Sequence, residues 1–400
     1  MKIKYINNYF ILIFSLIPLS IIFGPSVSLI NIILIDLSFI FLLIYLKDFS
    51  IFKKNIIKYF YLLFAYLLFN SLISIDTSIS LSRNLGFVRI IIFFIACNYF
   101  FRINLFYQKV FFAWIIICSV VVIDVFFESY FGKNILGFKS EIIGRNVSFF
   151  KDEHIVGGYL YGFCLLLIGY LFENYGFRYK NYIFIFSLIL IFAILLTGER
   201  SNSIKVILGF LAFYIFILDQ NIKKKLISIF IGIVFLIGVI SSSEWLKLRY
   251  FDQIKIMASG DNYYFRIYES GYEVFKKYPI LGVGNKNYRI ETCQNLEKLS
   301  EIYICTTHPH QIYIEFISEH GFIGTIILLF IFYKLIFSKI KIVLRDKNKI
   351  QLGTLMYLVL VFMPLLPSGA FFSDYPLTLF ALNLSIFYAI NPRTNIFSKN

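Results

Sequence analysis

The feature that most constrains this chain is a succession of apolar runs, each long enough to cross a bilayer as a helix. A helical span takes about 20 apolar residues. Such runs fall at 8–23, 26–46, 56–75, 85–101, 106–130, 154–172, 182–197, 203–219, 225–242, 311–337, 350–368 and 374–391. Gly24–Pro25, Thr197–Gly198 and Pro367–Ser368–Gly369 read as tight connections between them. Composition agrees, with 59% of residues apolar and 15% charged, where a soluble domain carries about 25% charged. One aqueous core of this length cannot hide that much apolar surface. The expected fold is an all-α polytopic integral membrane protein with about 12 transmembrane helices and one large periplasmic loop.

The net charge of +15 would suggest nucleic acid as the partner of a soluble protein. In a membrane chain the cations are first sorted by side, because cytoplasmic loops collect Lys and Arg. With the N-terminus inside, cytoplasmic segments hold Lys47, Lys53, Lys54, Lys58, Arg102, Lys109, Arg178 and Lys180, together with basic stretches at 223–225 and 334–349. Both termini are then cytoplasmic, the loop at 243–309 is periplasmic, and no nucleic acid is called for. The chain divides into residues 1–242, with the first spans; 243–309, the loop; and 310–400, with the last spans. Met1–Lys4 is a short basic start with no small-residue cleavage site after it, so no cleaved signal peptide is expected. In the loop, residues 261–278 have the pattern of an amphipathic helix, which Pro279 stops, and Leu281-Gly-Val-Gly284 makes a flexible turn.

Three of the four histidines, His308, His310 and His320, fall close together at the mouth of the span 311–337. Pro309 suits the first turn of a helix, which would set His310 at a helix N-terminus. The positive end of the helix dipole favours a neutral imidazole, and a neutral imidazole accepts protons: His310 is the candidate general base. Exposed amides at the same helix end would attract phosphate. His308 reads equally as an interfacial side chain, and His320, deeper and next to Gly321, as structural. Arg200, in Thr197-Gly-Glu-Arg-Ser201, stands at the outer junction of two spans, as a phosphate ligand or as a partner of Glu199. Arg89 lies inside a span and needs Asp76, Asp124 or a ligand phosphate. Arg266, on the loop helix, has a solvated face as its ordinary reading. Together these cations, a helix N-terminus and a histidine describe an outer-leaflet pocket. Guanidinium forks bind phosphate, so a membrane-embedded pyrophosphate is the natural ligand. Lys151-Asp-Glu-His154 reads as a polar helix start rather than a cation site, and His308-x-His310 lacks a convincing partner for zinc; no metal or cofactor is expected. Cys97, Cys118 and Cys164 lie in apolar runs, whereas Cys293 and Cys305 lie in the loop, where a periplasmic location permits a disulfide.

Three stretches resemble the O-antigen ligase and O-antigen polymerase superfamily of bacterial membrane glycosyltransferases. They are Leu196-Thr-Gly-Glu-Arg-Ser201; Arg266 followed by Tyr278-Pro-Ile-Leu-Gly-Val-Gly284; and His308-Pro-His-Gln-Ile-Tyr-Ile-Glu-Phe-Ile-Ser-Glu-His-Gly321. The third has Gln311 where the family pattern has Asn and Ile314 where it has Leu. The resemblance implies a GT-C-like fold of ligase type, with His310 as catalytic base and Arg200 and Arg266, with Arg89, binding a lipid-linked pyrophosphate. Glu319 and His308 would support them. The implied donor is a glycan on undecaprenyl pyrophosphate, and the acceptor a hydroxyl of lipid A–core or of another glycan. Transfer would be inverting and metal-independent, at the periplasmic face of the inner membrane. A polymerase using the same donor is the alternative within the family. A lipid-glycan transporter or flippase is the alternative outside it, against which stands the lack of symmetry between halves.

Overall fold

The computed structural model describes residues 2–217, 244–252, 263–294 and 303–398, with isolated positions between 223 and 241. Those isolated positions aside, the span expected at 225–242 lies outside the described residues, as do 253–262 and 295–302. Among the described residues every regular element is a helix. Seven of these are long and apolar enough to cross a membrane: Pro25–Leu46, Asn55–Leu72, Thr77–Phe100, Asn104–Phe131, Val156–Leu196, Arg200–Ile217 and Ile312–Asp346. Shorter apolar helices cover Ile6–Ile22 and Lys349–Val361.

The Val156–Leu196 helix is two antiparallel arms. At 41 residues it would extend about 60 Å if straight. Yet Glu199 accepts hydrogen bonds from Gly157 N (2.6 Å) and Gly158 N (3.0 Å), so its end returns to its beginning. The reversal falls at Tyr179, where the backbone leaves the helical region. The expected pair of runs at 154–172 and 182–197 is this hairpin.

Contacts of this kind sort the connections into two ends of the bundle. One end joins Gln108 to Asn174, Glu173 to Lys349, and Asp346 to Arg393 and Asn391. It gathers the lysine-rich connections. The other end joins Asp76 to Asn287, Arg83 and Arg89 to Asp374, Glu199 to Gly157, and His310 to Ser368. Every residue considered below as functional is at this second end or just inside it.

One expectation about the last spans needs correction. The run at 350–368 stops being helical after Val361. Pro364 and Pro367 cannot supply the amides a continuing helix needs, and residues 362–373 fold inward over the bundle mouth. The helix Asp374–Ala389 that follows is buried on all sides from Leu377 onward, as an all-round apolar helix should be.

The long loop is threaded into the bundle rather than standing clear of it. Its amphipathic helix runs from Tyr263 to Lys277, burying Ile267, Ser270, Gly271 and Val274. The turn after Pro279 then inserts where the 312–335 helix breaks at Gly321, whose φ is +64°. Val283 N donates to Ser318 O (3.0 Å), Gly284 N to Glu319 O (2.8 Å) and Phe322 N to Pro279 O (2.8 Å). A Cβ on Gly282 would stand 2.5 Å from His320 N, and one on Gly321 2.5 Å from Leu281 N. Only glycine permits that approach together with positive φ.

Candidate active site at the bundle mouth

Three arginines converge first. The hairpin ends in the turn Thr197-Gly-Glu199, and Arg200 opens the helix Arg200–Ile217. Against that turn lies the segment Gly144-Arg145-Asn146, with Asn146 N donating to Thr197 O at 3.3 Å. A Cβ on Gly198 would collide with the Gly144 carbonyl, so glycine is what lets the two backbones meet. Arg249 crosses both glycines: its stem passes over Gly144, and its Nε donates to Gly198 O at 2.9 Å. Arg145, Arg200 and Arg249 thus lie within electrostatic reach of one another. Burial first, then Arg145 and Arg200, push Arg249 down to about 10. Glu199, the carboxylate beside Arg200, is engaged by Gly157, Gly158 and the Asn202 amide (2.7 Å). Three guanidiniums held this close to one another favour an anion.

His154 stands next to these arginines, its Nε2 2.7 Å from Ser140 Oγ. Burial, Arg145 and Arg249 lower its pKa and keep the ring neutral. Among the described residues, no three His, Cys, Asp or Glu side chains converge around it or elsewhere.

The histidine segment is built differently from the expectation. Gln311, not Pro309, starts the helix: its Oε1 accepts from Tyr313 N (2.8 Å) and Ile314 N (2.9 Å) as the N-cap. Those two amides are therefore closed to a phosphate. His310 precedes the cap with φ +52°, held there by Ser368 N donating to its carbonyl at 2.8 Å. A strained non-glycine backbone fixed by its surroundings is characteristic of functional positions. The Cys293–Cys305 disulfide fastens the stretch of chain that leads into this segment.

The imidazoles of His308 and His310 are tilted at 47° to one another, ring centres 4.0 Å apart. His308 Nδ1 is 2.9 Å from Thr307 Oγ1 and its Nε2 is 3.3 Å from Ser368 O. A carbonyl only accepts, so Nε2 carries a hydrogen. Burial, then His310 and Lys286, push His308 down to about 3. Burial also lowers the pKa of His310, so burial rather than the helix dipole keeps it neutral. Tyr264 connects the histidines to the arginines. Its ring stands edge-on to His310 with centres 6.1 Å apart, and it is within electrostatic reach of Arg200 and Arg249.

Of the residues singled out from the sequence, His308 and His310 come together, and Arg200 is linked to them through Tyr264. Arg266 is exposed, and two residues from Tyr264 means about 200° around the helix, on the opposite flank. Arg89 finds its partner in Asp374, at 2.6 Å, with Arg83 on the second carboxylate oxygen, also at 2.6 Å. Asp76 instead caps the helix Thr77–Leu85, and Asp124 accepts from Ile135 N and Ser148 Oγ. Glu319 is fully buried; its carboxylate faces the Lys286 and Tyr288 amides without closing a hydrogen bond to either. Glu315, one turn earlier, accepts from Phe371 N at 3.0 Å and 3.1 Å. His320 is fully buried, its Nδ1 3.0 Å from Tyr66 OH.

Sequence reasoning missed Arg145, Arg249, Tyr264 and Lys286. Lys286 has φ +65° and donates to Ser373 Oγ at 2.7 Å, between His308 and the two glutamates. The available signal was the glycine one or two residues before Arg145 and Arg200. Two glycine-led arginine segments can pack backbone to backbone. Nothing in the local sequence distinguished Arg249 from the other loop cations.

Residues 185–329 match the protein-family model described as O-Antigen ligase. The match takes in the second arm of the hairpin, Arg200, Arg249, Tyr264 and His310. No curated protein matches this chain.

Proposed function

Because the chain carries an O-antigen ligase family domain across residues 185–329, we propose that its bundle mouth transfers a glycan from undecaprenyl pyrophosphate to an acceptor hydroxyl of lipid A–core. The observation that carries this reading is the convergence of Arg145, Arg200 and Arg249, with Tyr264 within electrostatic reach of Arg200 and Arg249 and packed edge-on to His310. The arginines hold the donor pyrophosphate. The acceptor oxygen bonds to the anomeric carbon as the bond from that carbon to the phosphate oxygen breaks. The electron pair leaves with the pyrophosphate, and the acceptor proton passes to the free ring nitrogen of His310. Attack opposite the leaving group inverts the anomeric centre. Guanidiniums fixed where negative charge develops supply the largest stabilisation. Arg266 sits at the rim of this site, and Arg89 belongs to its frame through Asp374. His308 and Glu319 support the segment from beneath.

The site faces the periplasm in this reading, with the protein in the inner membrane and both termini cytoplasmic. His310→Ala should abolish glycan transfer in membranes while the protein inserts at its usual level. Retained transfer would remove His310 as the base. Arg249→Lys should lower transfer by about tenfold or more, since an ammonium lacks the bidentate fork. Transfer should also survive EDTA, because the arginines meet the leaving-group charge; loss in EDTA would point to a required metal. In a deletion strain, full-length glycan on the lipid carrier identifies a ligase, and single repeats identify a polymerase.

A further inference from the structure

Tyr264 is within reach of both parts of the site, and the proposed reaction needs something at that place. In that step the anomeric carbon lies between the leaving pyrophosphate, held by Arg145, Arg200 and Arg249, and the acceptor hydroxyl, activated at His310. Whatever lies between the guanidiniums and the imidazole faces the sugar that is transferred. Tyr264 is there, edge-on to His310 at 6.1 Å and within electrostatic reach of Arg200 and Arg249. It is half-buried. The inner face of the 263–277 helix places it: Gly271 lies close against Pro309 and Ile314, which holds this helix on the histidine segment. Tyr263 and Tyr268 stand beside it, with ring centres 6.4 Å and 6.5 Å away. An aromatic face carries negative potential, and the C–H bonds of a pyranose present the complementary positive edge. We propose that Tyr264 is the platform for the first sugar of the donor, the one bonded to the pyrophosphate. It binds through the face of its ring rather than through its hydroxyl.

This inference rests on the glycosyltransferase reading, and the test separates the two. Purified protein in nanodiscs is titrated with two probes: undecaprenyl pyrophosphate alone, and undecaprenyl pyrophosphate carrying a single N-acetylglucosamine. Tyr264→Leu should leave binding of the bare lipid pyrophosphate within about twofold. It should weaken binding of the glycosylated probe by about fivefold, the ratio corresponding to ~1 kcal/mol. Tyr264→Phe, which keeps the ring, should bind both probes as the unmodified protein does. Equal weakening of both probes by Tyr264→Leu would mean that the ring serves the arginines, and would overturn the proposal. So would unchanged binding of both, or a Phe variant that behaves like Leu. If the unmodified protein binds neither probe, the glycosyltransferase reading falls first, and this inference with it.

Discussion

His310 combines three properties that a base in a membrane mouth requires: partial burial, a fixed backbone and a neutral neighbouring ring. Burial holds its pKa below the ordinary histidine value, about 6.5. A neutral base works above its pKa. Transfer should therefore persist as pH falls through about 6.5, with its acid limb lower than an ordinary histidine would give. A pH–rate profile with its limb at or above that value would contradict the assignment. Stability has the opposite dependence on acid. His308 and His310 bind protons more readily in the unfolded chain, so their contribution is fully present above about pH 6.5. It is lost progressively as pH falls below that, toward their folded values. Melting of the detergent-purified protein from pH 7.5 to 5 reads this directly, and a flat profile would argue against buried neutral rings. At this scale the sequence was informative where chemistry repeats in a short window, as in His308-Pro-His310. It was silent on Arg249, whose role depends on Gly144 and Gly198 meeting across a long separation.

Elements were legible to the extent that side-chain pattern determines them. The amphipathic helix expected at 261–278 runs from Tyr263 to Lys277, because its stop is a proline. The run at 350–368 misled because hydropathy counts side chains and ignores the amides that Pro364 and Pro367 lack. The same gap hid Gln311, whose cap moves the helix start beyond both Pro309 and His310. The Cys293–Cys305 disulfide acts on an element too: it ties the end of the Tyr288–Cys293 helix to the stretch of chain that enters the histidine segment. Closing a loop of 12 positions stabilises by about 3 kcal/mol. Cys305→Ser should lower the melting temperature and reduce transfer without changing membrane insertion. Unchanged transfer after reduction would show that the histidine segment keeps its place without the tie.

The molecule as a whole has a cation-rich end and a site-bearing end, and the placement of lysines in the sequence anticipated that division. What the sequence did not reveal was how the loop reaches into the bundle, since Gly282 and Gly321 show their fit only when opposed. The proposed orientation can be tested with an impermeant maleimide, because Cys97, Cys118 and Cys164 are buried and the other two cysteines are paired. Lys139→Cys should label from the periplasmic side, whereas Lys341→Cys should label only after the inner membrane is opened. The reverse pattern would turn the protein over. Arg89 and Asp374 add a consequence for biogenesis, since 285 positions separate them. The ribosome delivers the guanidinium to the membrane early and its carboxylate almost last. Until residue 374 has entered, Arg89 lacks the carboxylate it holds in the folded chain, and a charge short of its partner near lipid is costly. A chain that ends before residue 374 should therefore accumulate in membranes to a lower level than the full-length chain, which an immunoblot of membrane fractions reads.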